Sequence, residues 1–157
     1  MRRILFLSWI MLSFAFVFSR CNKSSDEPKI VIKNVWSRPV TIPVDADTNQ
    51  STGYNGAVYL KIINDGSIPD KLLSAKTDVC AITETHQSFI KNDRMMMEPV
   101  VGGIGIPTNG SAELKPGGYH LMLMGMKRSL AEGDSFAVQL KFEKSGIRDV
   151  YAKVKKF

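Results

Sequence analysis

Short runs of alternating apolar and polar residues follow one another along most of this chain, and glycine, proline and asparagine separate them. The strongest run is GAVYLKIIN at 56–64. Weaker runs of the same kind are KIVIKNVW, KLLSAKTD, VCAITETHQSFIKN, RMMMEPV, SAELKPGG, YHLMLMGM, DSFAVQLKFE and IRDVYAKVKK. Beyond residue 20 no segment repeats apolar residues at the spacing of an amphipathic helix. Many short strands separated by turn residues predict an all-β sandwich or barrel.

Three segments of the chain carry predictions of their own: the first run, the segment at 37–55 and the segment at 102–107. In the first run, alternation places two sets of residues on opposite sides, namely Ile30, Ile32 and Asn34 against Val31, Lys33 and Val35. Residues 37–55 are rich in Pro, Asp and Ser, and they predict a long loop to which we assign no role. The segment GGIGIP at 102–107 predicts a glycine turn.

The amino terminus has the pattern of an export signal. Two arginines precede an apolar run from Ile4 to Phe18, and small or polar residues follow it. At about 15 residues, this run is shorter than the ~20 that cross a bilayer as a helix. We therefore expect residues 1–20 to be an export signal. The alternative is a short membrane anchor that is not cleaved.

Cys21 ends this segment and begins a polar stretch, CNKSSDEP, at 21–28. This position predicts a lipoprotein that is cleaved before Cys21 and acylated on it, with residues 21–28 as a tether and 29–157 as the domain. Arg20 departs from the pattern, because lipoprotein signals usually carry a small uncharged residue there. A free thiol after cleavage nearby, or no cleavage, are the alternatives. The expected location is periplasmic or on the outer face of the cell envelope, with the membrane contacted through the lipid anchor.

Charge and cysteine content narrow the class of protein. Removal of residues 1–20 would take three of the 21 basic residues and no acidic one, so the net charge falls from +6 to +3. No block of Lys and Arg interleaves with aromatic residues, so we expect no nucleic-acid binding. Cys80 lies among apolar neighbours in DVCAI, and a buried thiol is favoured there over a ligand or nucleophile.

The candidate chemistry is concentrated in one part of the chain. Its two histidines, His86 and His120, and all six methionines beyond the export signal fall within 86–126. Those methionines are Met95, Met96, Met97, Met122, Met124 and Met126. Methionine that only fills a core would be scattered over all the strands, so the clustering indicates a common role.

The run YHLMLMGM adds a geometric argument. On a strand, His120, Met122 and Met124 share one side, and two leucines take the other. If the leucines face the core, the histidine and methionines face outward or into a cleft. By the same rule Met95 and Met97 share a face, and Ile82, Glu84 and His86 do so on the preceding strand. For Met96 and Met126 we expect packing in the core.

Thioether sulfur is a soft, neutral ligand and imidazole is a borderline one, so the set suits Cu(I) rather than Mg²⁺ or Ca²⁺. Structural zinc usually takes thiolates or more histidines. A complete set of two His and two Met leaves little room for a substrate and favours carriage over catalysis.

The arrangement resembles the PCu(A)C family of periplasmic copper chaperones, whose signature is His, ten residues, Met, about 21 residues, and His-x-Met. Here His86 is followed by ten residues and Met97, and His120-Leu-Met122 follows after 22 more. TETH, RMMMEPV, ELKPGGYHLMLMG and EGDSFAVQLKFEKSG are also similar, as are VWSRP, AVYLKIIND and DKLLSAKTD upstream. One extra residue in the second spacing, and Gln87 in place of a second Met, are the departures.

The resemblance implies a cupredoxin-like Greek-key β-sandwich that holds Cu(I) outside the cytoplasm. It implies delivery of copper to the copper centre of a cytochrome c oxidase, with a recipient oxidase subunit or another copper carrier as partner. The ligands that it implies are His86, Met97, His120 and Met122, and Met95 and Met124 are auxiliary contacts. We therefore expect a carrier and not an enzyme.

Two other functions remain open at this stage. One is a copper redox protein or thiol reductase acting in oxidase assembly, although the sequence has no CxxC motif. The other is a metal-free surface β-sandwich used for interactions, whose thermal stability copper would leave unchanged.

Overall fold

The computed structural model describes residues 26–44 and 53–156, which form ten β-strands and no helix. The strands are β1 (Ile30–Ser37), β2 (Asn55–Asn64), β3 (Asp70–Lys76), β4 (Cys80–Lys91), β5 (Arg94–Pro99), β6 (Ile104–Ile106), β7 (Gly110–Leu114), β8 (Tyr119–Met126), β9 (Ser135–Phe142) and β10 (Ile147–Val154). None of these residues belongs to a helix that could cross a membrane. The expected export signal, Cys21 and part of the long loop lie outside the described residues.

The strands form one sheet in the order β5-β4-β8-β7-β2-β1-β10-β9-β3-β6. Strand β2 pairs with two different strands. Its first half (55–58) pairs with β8 and its second half (60–64) pairs with β7, so the sheet bends at β2. Strand β3 also contacts β4, and β6 contacts β7, so the two halves of the sheet face each other. The all-β sandwich that the strand pattern predicts is confirmed.

One core lies between the two halves, and β9 contributes its most regular part. Phe136, Val138, Leu140 and Phe142 are buried, while the residues between them are exposed. Full burial of side chains of this size stabilises the fold by about 1.5–3 kcal/mol each. Period-two alternation is therefore the main reason why this sequence folds as strands.

Strand β1 departs from the expected alternation at Asn34. This residue has a φ of 53°, and the pairing with β2 shifts between Lys33 and Trp36, which marks a bulge. The bulge moves Val35 to the core side, where it packs against the core as Ile32 does. The expected grouping of Val35 with Val31 and Lys33 is therefore wrong, because the extra residue reverses the alternation of side chains between the two faces of the strand.

The segment expected as a glycine turn contains a strand. In β6, Ile104 and Ile106 are buried and the strand pairs with β3. Only the beginning of the segment turns. There Gly103 has a φ of +86°, and a Cβ atom on it would lie 2.6 Å from the Leu72 carbonyl oxygen. Glycine is needed at this position because of both its backbone conformation and that close approach.

Asp70, at the start of β3, fixes the connection between β9 and β10. Its buried carboxylate accepts hydrogen bonds from the backbone N–H groups of Lys71 (2.8 Å), Lys144 (2.9 Å) and Ser145 (3.0 Å) and from the Ser145 hydroxyl (2.5 Å). Burial alone raises the pKa of Asp70, but these hydrogen bonds outweigh it and hold the pKa below its ordinary value.

Replacement of Asp70 by Asn should lower the free energy of unfolding at pH 7 by about 2 kcal/mol, because a buried charged acceptor with four donors is lost. A carboxyl whose pKa falls on folding stabilises the protein above its unfolded pKa of about 3.9, and this contribution is lost as the pH falls. Urea unfolding at pH 7 and pH 3 should therefore show a weaker pH dependence for the variant. The exposed Asp149→Asn change is the control, and an equal loss in both variants would contradict the assignment.

Candidate metal centre

Strand β8 has the two faces that its sequence predicts. Leu121 and Leu123 are fully buried in the core. His120 and Met122 lie on the other face, with Met124 further along. His120 is nevertheless only 4% exposed, so a second layer of residues covers this outer face around it. Of the two expected environments, an open surface or a cleft, His120 occupies the cleft.

The face of β8 changes at its end. Gly125 has a φ of 64°, a left-handed conformation that reverses the alternation there. As a result Met126 is buried, opposite the equally buried Cys80 on β4. The expected core packing of Met126 and the expected burial of the Cys80 thiol are both confirmed. The Cys80 Sγ atom lies 3.3 Å from the Thr83 hydroxyl oxygen.

Strand β4 lies between β5 and β8 and carries the second histidine. His86 is directly opposite His120 in the antiparallel pairing, and the two ring centroids are 5.9 Å apart. Side chains directly opposite each other project from the same face of a sheet. Two residues along, Glu84 is opposite Met122. The register therefore brings both histidines and one methionine together on the outer face.

Strand β5 is one of the two edge strands of the sheet. It adds a methionine from the side of β4 opposite to β8. Met97 is opposite Ser88 on β4, two residues from His86, and so it shares the face of the histidines. Met95, the next residue on that face, is opposite Ile90. All six residues of β5 are exposed, because this strand packs mainly on β4 and, unlike β6, is not covered by the facing half of the sheet. Met96 is 45% exposed, so its expected core packing is wrong.

These side chains open into a cleft of about 300 Å³. Met97, His120 and Met122 line it, and three of the four expected ligands therefore share one cavity. His86 adjoins it through the ring of His120. Arg38, Pro39 and Val40 form part of the wall, from the segment that follows β1. That segment is held by a backbone bridge between Val40 and Leu130.

The wall of the cleft includes one tyrosine, Tyr59, to which the sequence pattern assigned no role. Tyr59 on β2 is 7% exposed, and its ring centroid lies 6.5 Å from that of His120. The ring of Trp36 contacts that of Tyr59, with centroids 4.7 Å apart and the planes tilted by 39°. Tyr59 and Ala57 alternate along β2, and Ala57 is opposite Met122, a relation that becomes visible only once β2 and β8 are paired.

Each histidine ring has one nitrogen engaged by an oxygen atom. His120 Nδ1 lies 3.1 Å from the Gly118 carbonyl oxygen, to which it can only donate, and this leaves the lone pair on Nε2. His86 Nε2 lies 3.0 Å from Glu84 Oε2. His86 Nδ1 is buried and has no hydrogen-bond partner among the described residues. One nitrogen of each ring thus remains available to bind a metal ion.

Burial lowers the pKa of the His120 imidazole, the hydrogen bond to the Gly118 carbonyl opposes this effect, and the nearby His86 ring lowers the pKa further. The net result is a pKa below the ordinary value. The ring is therefore neutral at pH 7, which is the form that binds metals.

Comparison with known proteins places the chain in a family. The model described as "Putative lipoprotein LpqE-like" matches residues 30–154. The chain belongs to the LpqE-like family. The matched residues of this LpqE-like chain run from β1 to β10 and include His86, Met97, His120 and Met122. It is also 31% identical over 101 residues to "Putative lipoprotein Lxx21020" of Leifsonia xyli subsp. xyli (strain CTCB07), a match that covers 64% of this chain and 61% of that protein.

Solved structures share the fold of this LpqE-like chain. The copper-bound PCuAC domain from PmoF2 is 23% identical, with a TM-score of 0.61 over 82% of this chain and 94% of that one. The apo PCuAC domain from PmoF1 is 24% identical, with a TM-score of 0.62 over 84% and 98%. The copper(I) form of DR1885 from Deinococcus radiodurans is 27% identical, with a TM-score of 0.53 over 80% and 78%. The resemblance to PCu(A)C domains is thus confirmed.

Proposed function

We propose that this chain is an extracytoplasmic copper chaperone that binds one Cu(I) ion through His86, Met97, His120 and Met122. The observation that carries the proposal is the register between β4 and β8. It sets the two imidazoles opposite each other, beside a cleft that two methionines line. The solved PCuAC structures described as copper-bound and copper(I) forms give independent support.

The donor set favours Cu(I) because thioether sulfur and neutral imidazole are soft or borderline ligands. The lowered pKa of His120 keeps its Nε2 lone pair available near neutral pH. His86 contributes a buried nitrogen that lacks a hydrogen-bond partner among the described residues, and its lone pair could coordinate a metal ion instead. Met95 lies two residues from Met97 and Met124 two residues from Met122, each on the same face of its strand. We assign them as auxiliary contacts during entry or release of the ion.

Carriage fits the site better than catalysis does. Four protein ligands complete the coordination of a Cu(I) ion and leave no position for a substrate. A thiol reductase would need a reactive cysteine, and Cys80 is 2% exposed and packed opposite Met126. We therefore infer a binding and transfer protein.

The recipient that we propose is the copper centre of a cytochrome c oxidase, as the resemblance to PCu(A)C chaperones implies. Transfer between proteins requires a ligand that an incoming side chain can replace. Met97 is 54% exposed and Met95 is 61% exposed, both on the edge strand, whereas His120 is buried. Replacement would begin at the β5 side of the cleft.

The location that we propose is the periplasm or the outer face of the cell envelope. Residues 1–20 act as the export signal, Cys21 is acylated, residues 21–28 form the tether, and 29–157 form the copper-binding domain. The sequence pattern at the amino terminus supports this arrangement. The description of the LpqE-like family as lipoproteins supports it as well.

Titration of the purified protein with Cu(I), followed by metal analysis, should give one ion per chain. Replacement of His120 and Met122 together by Ala should abolish competition with a chromogenic Cu(I) chelator, because two of the four ligands are lost. Circular dichroism checks that the variant is folded. An affinity equal to that of the unchanged protein would refute the site.

Two neighbouring methionines offer a matched pair of variants. Met97→Ala should weaken Cu(I) binding at least about tenfold, since a loss of that size already follows from changes around a metal ligand. Met96→Ala removes a similarly exposed thioether from the opposite face of the same strand and should change affinity by less than about twofold. Chelator competition measures both, and equal losses would show that the face of the strand does not matter.

Acylation of Cys21 predicts that the protein partitions into the detergent phase of a cell extract and that its amino-terminal peptide carries the mass of a lipid. Cys21→Ser should move the protein to the aqueous phase. Mass spectrometry of the mature amino terminus checks this directly, and Cys80→Ser serves as the control cysteine. A free Cys21 in the mature protein would contradict the prediction.

A further inference from the structure

Glu84 has a contact that the proposed ligand set does not use. It precedes His86 by two residues on β4, so both side chains project from the same face of the strand. Its Oε2 atom lies 3.0 Å from His86 Nε2. The Glu84 side chain is 45% exposed and the His86 side chain is 12% exposed. The carboxylate thus meets solvent, while the ring that it holds reaches inward.

The direction of this hydrogen bond determines where the His86 ring carries its lone pair. An ionised carboxylate only accepts hydrogen bonds, so Nε2 must donate. A proton on Nδ1 instead would leave Nε2 with no N–H for the carboxylate and would place a buried N–H where no acceptor lies among the described residues. The arrangement therefore favours the tautomer with its proton on Nε2 and its lone pair on the buried Nδ1.

We propose that Glu84 is a positioning residue that makes Nδ1 the copper-binding nitrogen of His86. The inference rests on the proposed function and adds a residue and a coordination mode to it. Metal-bound histidines usually donate their second N–H to an oxygen atom, which fixes the ring and raises its basicity. Gly118 performs this task for His120, but there the carbonyl holds Nδ1.

The two histidines consequently bind through different nitrogens, His86 through Nδ1 and His120 through Nε2. Only the contact to His86 involves a carboxylate. A negative charge one imidazole away from the ion also offsets the positive charge of Cu(I), which the four neutral ligands do not. Glu84 therefore acts through the ring of His86 without binding the ion itself.

The tautomer can be measured on the metal-free protein, independently of copper. The chain has two histidines, so long-range ¹H–¹⁵N correlation spectra at neutral pH contain two ring patterns. We expect the proton of His86 on Nε2 and the proton of His120 on Nδ1. In Glu84→Ala the His86 pattern should become a mixture of the two tautomers while that of His120 is unchanged. A proton on Nδ1 of His86 in the unchanged protein would overturn the proposal without any variant.

Affinity for Cu(I) provides the second readout, by competition with a chromogenic chelator. Glu84→Ala should weaken binding about 10–100-fold, the usual effect of removing such a partner. In Glu84→Gln the amide oxygen can still accept from Nε2, so the tautomer should persist and the loss should be smaller. Glu113→Ala, which removes an exposed carboxylate paired with Lys115 at 3.3 Å, is the control and should bind as the unchanged protein does.

The two measurements separate this proposal from the proposed function. If the unchanged protein does not bind Cu(I), the chaperone function fails, while the tautomer of the metal-free ring still tests the role of Glu84. If the unchanged protein binds Cu(I) and Glu84→Ala binds it equally well, the positioning role is refuted and the chaperone function stands. Equal losses in Glu84→Gln and Glu84→Ala with an unaltered ring pattern would also refute it.

Discussion

The antiparallel pairing of β4 with β8 is the constraint on which the candidate metal centre depends. Its register sets His86 opposite His120 and Glu84 opposite Met122. A shift of β8 by one residue would turn His120 and Met122 toward the core and bring its leucines to the outer face. The fully buried Leu121 and Leu123 oppose such a shift, since exposing them would cost several kcal/mol. The core that stabilises the fold therefore also fixes the geometry of the site.

Much of this arrangement is predictable from sequence because strands have a strict period of two. The leucines of β8 define the core face, and the opposite position of His120 and Met122 follows from that alone. The same rule gives the shared face of Met95 and Met97 and that of Glu84 and His86. The strand boundaries of β2, β8 and β9 follow from the positions of the turn residues. What period-two alternation cannot supply is the register between strands, which came from the structure.

The failures have definite physical causes. Asn34 adopts a left-handed backbone conformation that reverses the alternation in β1, and a pattern of apolar residues does not reveal a bulge before the partner strand is known. Met96 is exposed because β5 packs mainly on β4 and the facing half of the sheet does not cover it, and this depends on the whole topology. The segment at 38–40 lines the same cleft as His120 although it lies 80 to 82 residues away in the chain, and no local signal indicates this proximity. The pair Glu84-x-His86 was visible as a shared face, but its hydrogen bond was not.

The way in which the chain enters the domain has a geometric consequence. The first strand begins at Ile30, opposite Asn64, whereas the cleft lies beside Ala57, opposite Met122. Seven residues of β2 separate these two levels, a distance of at most about 23 Å because the strand bends between them. A domain held by its amino-terminal end would therefore point its cleft away from the point of attachment. The length of strand β2 would then separate the cleft from the point of attachment. The exposed strand β5, with Met95 and Met97, would stay accessible from the side of the domain away from that point.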